Sequence, residues 1–210
     1  MDARFFGAWM EECARVVHEQ RDYLTRLDAA IGDADHGNNL DRGFTAIRQA
    51  LAESSPAAPG ELLTLAGTTL IRKVGGASGP LYGSALRQVG KALGAAERVT
   101  LAELPAALEV GLQAVRRLGS AELGDKTMVD ALAPACATLS RAVTDGIKPL
   151  EALRLAADAA EQGAKDTVSM QARKGRASYL GPRSIGHQDP GATSTALIIG
   201  ALRDVAARSS

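Results

Sequence analysis

Apolar side chains at Phe5, Phe6, Trp9, Met10, Cys13, Val16, Val17, Tyr23, Leu24 and Leu27 recur at three- and four-residue steps, the repeat that lays one face of an α-helix against a core. The spacing predicts one long helix ending near Asp28. Polar positions then take over until a second periodic stretch, about 39 to 53, which "SSPAAPG" closes. A third covers Leu62 to Val74 and stops at Gly75-Gly76, a strong C-terminal signal. Ser78 is expected to cap a fourth helix, with Pro80 acceptable in its first turn. Thr100 and Glu103, in capping-box spacing, open a fifth. A sixth is expected from about Lys126 to Thr144 and a seventh from about Pro149 to Met170. Asp189 as cap and Pro190 at the first helical position then open an eighth that reaches Ala207. Eight helices joined mostly by short links predict an all-α fold, an antiparallel up-and-down bundle or barrel. We read residues 1–210 as a single domain.

One connection breaks the pattern. Residues 171 to 188, "QARKGRASYLGPRSIGHQ", carry the cations Arg173, Lys174, Arg176 and Arg183 and no apolar periodicity. Loops this long inside a compact domain are uncommon and usually functional.

Composition narrows the picture. Aromatic residues make up 3% of the chain and alanine is abundant, so the helices are expected to approach closely, Ala and Gly against Leu. Lys plus Arg number 24 and Asp plus Glu number 24; that balance speaks against a nucleic-acid partner. Cys13 and Cys136 lie far apart and match no metal-ligand spacing, which fits buried thiols in a reducing compartment. Charges run throughout residues 1 to 30, and no segment offers about 18 uninterrupted apolar residues. A cytoplasmic protein with no membrane contact is expected.

The chemistry concentrates in "LDAAIGDADHGNNLDRGF", residues 27 to 44, which crowds Asp28, Asp33 and Asp35 together. Gly32 and Gly37 shape a tight loop there, and Asn38 and Asn39 favour turns and caps. Carboxylates packed so closely repel unless a cation sits between them; a surface loop is the competing reading, since aspartate is a common turn residue. Mg²⁺ prefers hard oxygen ligands and often takes carboxylates together with substrate phosphates. Asp41 is placed outside, on the following helix. "VGGASGP" and "GHQDPGATS" are glycine-containing turns running into helix starts, where backbone N–H groups suit phosphate, although neither is a Walker A sequence. Carboxylate loop, glycine-rich helix start and arginine-bearing loop are the recurring parts of phosphoryl transfer. His36 and His187 are open between a phosphorylated nucleophile or general base and a simple hydrogen-bonding role; His18 reads as structural. Lys126 and Thr127 are either ordinary caps or part of a nucleotide site.

"IGDADHGNNLDRGF", "VGGASGPLYG", "GDKTMVDAL" and "MQARKGRASYLGPRSIGHQDPGATS" closely resemble the nucleotide-binding L subunits of dihydroxyacetone kinases, the DhaL family. The resemblance extends over essentially the whole chain, in order. It implies an eight-helix antiparallel barrel holding ADP or ATP at one end through two Mg²⁺ ions bound to Asp28, Asp33 and Asp35. It also implies nucleotide contacts at His36, Gly37, Asn38, Asn39, Ala77, Ser78, Gly119, Met128, Arg176, Asp189, Pro190 and Gly191, with Arg176 stabilising charge on the transferring group. In this family a separate K subunit, DhaK, holds dihydroxyacetone covalently through a histidine, and a phosphohistidine protein of the phosphotransferase system, DhaM, rephosphorylates the bound ADP. Other relatives exchange free ATP or serve ketoses such as erythrulose. A rival reading from another class is a nucleotide-loaded adaptor sensed by a regulator.

Overall fold

The computed structural model describes residues 1–209. Eight α-helices alternate up and down: α1 (Ala3–Ile31), α2 (His36–Ser54), α3 (Pro59–Lys73), α4 (Ser78–Leu93), α5 (Leu104–Gly119), α6 (Val129–Thr144), α7 (Pro149–Asp166) and α8 (Pro190–Arg208). Each packs against the next in sequence, and α8 packs against α1. The ring therefore closes into a barrel, the all-α fold expected from the periodicity. The Trp9 indole N–H fastens the closing junction by donating to the Ile198 carbonyl at 2.9 Å. Among the described residues the one extended pairing is an isolated bridge between Asp2 and Arg98.

Phe6, Trp9, Met10, Leu40, Phe44, Ile47, Leu63, Leu70, Leu104 and Leu139 are fully or almost fully buried and belong to one continuous core. Small residues set the helix spacing. A Cβ on Gly67 would run into the Gly83 carbonyl, and one on Gly83 would meet the Gly67 carbonyl at 2.6 Å, so α3 and α4 touch backbone to backbone. On α7, Ala152, Ala156, Ala160 and Ala164 are all buried. The expectation of Ala and Gly against Leu holds.

Several boundaries differ from the sequence expectation, each for a local reason. α1 runs past Asp28 to Ile31, where the Gly32 N–H donates to the Asp28 carbonyl at 2.5 Å. α2 starts at His36 rather than Asn39 because the Asp28 carboxylate, from another helix, accepts the N–H groups of Asp35 and His36. Ser78 does not cap α4; it is the first helical residue, and its hydroxyl pairs instead with His36 Nδ1 at 3.0 Å. Glu103 does reach back to the N–H and hydroxyl of Thr100, yet this closes a turn ahead of α5, which starts at Leu104. α6 begins at Val129, since Lys126 adopts a left-handed φ of 61°. α7 ends at Asp166 and tightens into a 3₁₀ turn, Thr167–Ser169, short of the expected Met170. The Asp189 cap of α8 is as expected, its carboxylate accepting the Ala192 N–H at 2.7 Å.

Residues 171–188, hereafter the arm, are ordered by 3₁₀ turns within Arg176–Ser184 that kink at Gly181, whose φ is 55°. Ala172 and Ala177 pack with Ile31 of α1, and Leu180 covers them.

An up-and-down ring has one decisive consequence. The N-termini of α2, α4, α6 and α8 share a rim with the C-termini of α1, α3, α5 and α7.

Candidate functional site

Asp28, Asp33 and Asp35 meet at that rim. One carboxylate oxygen from each lies within 4.8 Å of the others. Asp28 is buried on the last turn of α1, and its Oδ2 is oriented by the Asp35 N–H at 2.8 Å and the His36 N–H at 3.1 Å. Gly32 is what leaves room for it, because a Cβ there would collide with Asp28 Oδ1. Asp33 is exposed and pairs with Arg176 of the arm, Oδ2 to Nη2 at 3.0 Å. Ala34 between them takes a left-handed φ of 61°. Three hard oxygen donors, one anchored and two on an irregular turn, suit Mg²⁺, so the residues present fit the ion that the sequence suggested.

A cleft of about 300 Å³ opens beside this cluster. Its polar wall includes Asp28, Asp33, Asp35, His36, Ser78 and Asp189; its apolar wall includes Leu81, Val115, Ala121 and Met128. The four helix N-termini that converge here bring partial positive charge, which favours an anionic ligand, although the Asp28 and Asp189 carboxylates already accept N–H groups at the starts of α2 and α8. His36 bridges two walls, with Nε2 at 2.8 Å from Ser194 Oγ and Nδ1 at 3.0 Å from Ser78 Oγ. Burial lowers its pKa, opposed by Asp28 and Asp35. The Tyr82 hydroxyl reaches the Gly191 carbonyl at 2.9 Å and the hydroxyls of Ser194 and Thr195 at 2.7 Å each. Burial pushes the Asp189 carboxyl up to about 7, against the pull of the Ala192 N–H.

Of the residues singled out from sequence, Asp28, Asp33, Asp35, His36, Ala77, Ser78, Gly119, Met128, Arg176, Asp189, Pro190 and Gly191 all line this one cleft. Gly37, Asn38 and Asn39 do not line it. Gly37 is buried where a Cβ would strike the Arg21 carbonyl of α1. Asn38 is exposed, and Asn39 accepts a hydrogen bond from Arg42 at 2.6 Å. His187 is exposed and outside the lining, while His18 pairs with Asp41 at 3.0 Å on the surface. Sequence reasoning missed Tyr82, Ser194 and Thr195. The signal for Ser194 and Thr195 was the polar run "TST" at positions 193 to 195, which the structure buries in α8.

Fold and cleft together define a class: an eight-helix barrel with a carboxylate-lined anion cleft at one rim. The chain belongs to the DAK2 domain family, whose pattern matches residues 30–204. It is 45% identical over 186 residues to the ADP-binding subunit DhaL of the PEP-dependent dihydroxyacetone kinase of Escherichia coli, covering 89% of each chain. It is 39% identical over 204 residues to the D-erythrulose kinase of Mycolicibacterium smegmatis, covering 96% of this chain and 34% of that one. The structure superimposes on the dihydroxyacetone kinase of C. freundii in complex with AMP-PNP and Mg²⁺ with a TM-score of 0.74 at 27% identity, covering 97% of this chain and 34% of that one. No described helix is long and apolar enough to cross a membrane.

Proposed function

We propose that the chain is the nucleotide-binding subunit of a dihydroxyacetone kinase. It passes the terminal phosphoryl group of a Mg-bound adenine nucleotide to dihydroxyacetone held on a separate K subunit, DhaK. The observation that carries this reading is the meeting, at one rim, of three clustered carboxylates, four helix N-termini and an exposed arginine on an arm. The names of the relatives, ADP-binding subunit among them, agree with it.

Each residue then has a task. Asp28, Asp33 and Asp35 hold two Mg²⁺ ions, which when bound neutralise charge on the phosphate oxygens. Ala77 and Ser78 at the start of α4, and Gly191 at the start of α8, offer backbone N–H groups to the phosphates, with Pro190, which has none, shaping the α8 turn. Leu81, Val115 and Met128 supply an apolar wall for the base. Arg176 is 70% exposed and, among the described residues, ion-paired only with Asp33, so its guanidinium is free to move onto the transferring group and stabilise its charge. The acceptor is assigned to DhaK because the matching relative is named as the ADP-binding subunit of its kinase.

The donor is assigned to a relay: ADP stays bound and DhaM rephosphorylates it in place. The test combines two measurements. Mass spectrometry of gently purified protein is expected to find ADP that survives extensive dialysis. Phosphorylation of dihydroxyacetone is then assayed with DhaK and either ATP or a phosphoenolpyruvate-driven relay, and the relay is expected to support turnover. Turnover with free ATP alone, or preference for erythrulose, moves the chain to the second reading that the D-erythrulose kinase similarity favours. Retained nucleotide with no turnover from either donor supports an adaptor and overturns the kinase.

A further inference from the structure

Lys126 is 1% exposed, an unusual place for a lysine. Its ammonium has three N–H donors, and each is matched to a backbone carbonyl: Thr167 at 2.7 Å, Met170 at 3.1 Å, and His187 in a short contact. Although Lys126 borders the cleft, no donor is left for a phosphate. Its partners are instead the two feet of the arm. Thr167 and Met170 lie in the 3₁₀ turn that ends α7, where the helix dipole is negative; the Thr167 carbonyl also accepts the Met170 N–H at 3.1 Å. His187 stands two residues before the α8 cap.

The turn that carries Lys126 is itself braced. Asp130, 1% exposed, accepts the N–H groups of Gly124 and Thr127 at 2.5 and 2.8 Å. Further backbone links gather at the same point. The Arg173 N–H donates to the Asp125 carbonyl at 3.1 Å and the Gly186 N–H to the Val168 carbonyl at 2.8 Å. Ala172 N–H donates to Ser184 Oγ at 2.9 Å, and Asp189 N–H to Thr167 Oγ1 at 2.9 Å. A neutral side chain with fewer donors would leave the Met170 and His187 carbonyls without this partner, while the Thr167 carbonyl would keep only the Met170 N–H.

We propose that Lys126 is a positioning residue: its ammonium clasps both feet of the arm and so aims Arg176 across the cleft, without touching the nucleotide. This rests on the kinase reading for its effect on turnover, but not for its effect on the arm. The full chain carrying Lys126→Met, Arg176→Ala or both is compared with the parent. Exchange of the Ala172, Arg173 and Gly186 amides is expected to accelerate at least about tenfold in Lys126→Met, because local opening becomes easier. Mg–ADP affinity by calorimetry is expected to stay within about threefold while turnover with DhaK falls, and the double variant is expected to be no slower than Arg176→Ala alone. Unchanged exchange, equal losses of affinity and turnover, or losses that multiply in the double variant overturn the proposal. A parent protein without turnover sinks the kinase reading, and exchange then decides the clasp alone. If Lys126→Met does not fold, Lys126→Gln, which is neutral but keeps two donors, takes its place; failure of both to fold marks a fold determinant and overturns the positioning role.

Discussion

Replacing Asp28 with Asn and with Ala separates two duties of one carboxylate. Both substitutions remove the negative charge, so relief of repulsion from Asp33 and Asp35 is common to the pair and cancels in their difference. What differs is the hydrogen bonding at the start of α2. Asn keeps a carbonyl oxygen that can accept the Asp35 and His36 N–H groups, at 2.8 and 3.1 Å in the parent; Ala leaves both donors without that acceptor, at a site where Asp28 is only 8% exposed. Two neutral hydrogen bonds at about 1 kcal/mol each make Asp28→Ala less stable than Asp28→Asn by about 2 kcal/mol. For a chain of this size that is a difference in Tm of about 4–8 °C. Thermal melts in EDTA measure it without metal binding. In the same two variants, calorimetry with ADP and Mg²⁺ is expected to show metal-dependent binding lost equally, since both lack the anionic ligand. Equal melting temperatures would refute the capping role. Undiminished Mg-dependent ADP binding by Asp28→Asn would refute the metal site.

Gly32→Ala is expected to displace the Asp28 carboxylate, because the new Cβ collides with Oδ1, and so to weaken Mg-dependent nucleotide retention while the helical circular dichroism is unchanged; normal retention would contradict the steric reading. Arg176→Ala is expected to reduce turnover by roughly 10³-fold with nucleotide affinity changed less than about tenfold, and an equal fall in both would remove its transition-state role. Stability is expected to be nearly unaffected, since Arg176 is 70% exposed and such ion pairs contribute little. Burial raises the Asp189 carboxyl from 3.8 to about 7, so between those values the folded chain holds a proton that the unfolded chain has released. Its contribution to stability is therefore present below about 4 and is lost as pH rises to about 7. Urea melts at pH 5 and pH 8 in EDTA are expected to show this decline in the parent and a flatter profile in Asp189→Asn; parallel profiles would refute it.

The helices were legible because each buries one periodic face, and the aspartates were legible because all three fall within eight residues of sequence. What the sequence hid lies in partners far apart along the chain. α2 begins three residues early because a carboxylate on α1 satisfies its first N–H groups. Ser78 looked like a cap, but His36, 42 positions away, claims its hydroxyl. Lys126 looked like a cap or a nucleotide contact until its carbonyl partners, 41 to 61 positions away, became visible. Local chemistry was read from local spacing; cross-barrel chemistry needed the closed ring.

That ring also separates two roles the sequence left open for histidine. Both nitrogens of His36 are engaged, one by Ser78 and one by Ser194, and burial holds the ring towards its neutral form. A neutral imidazole donates through one nitrogen and accepts through the other, and a serine hydroxyl can meet either need. Nucleophilic attack would require the ring to surrender one of these buried contacts and the hydroxyl to go unpaired, at a cost of roughly 1–3 kcal/mol before any chemistry begins. His187 is exposed, off the cleft, and bound by its carbonyl to Lys126. His36 is therefore held by its two hydroxyl partners, and His187 lies off the cleft. That geometry agrees with the relay proposed above, in which the phosphohistidine step is assigned to a separate protein.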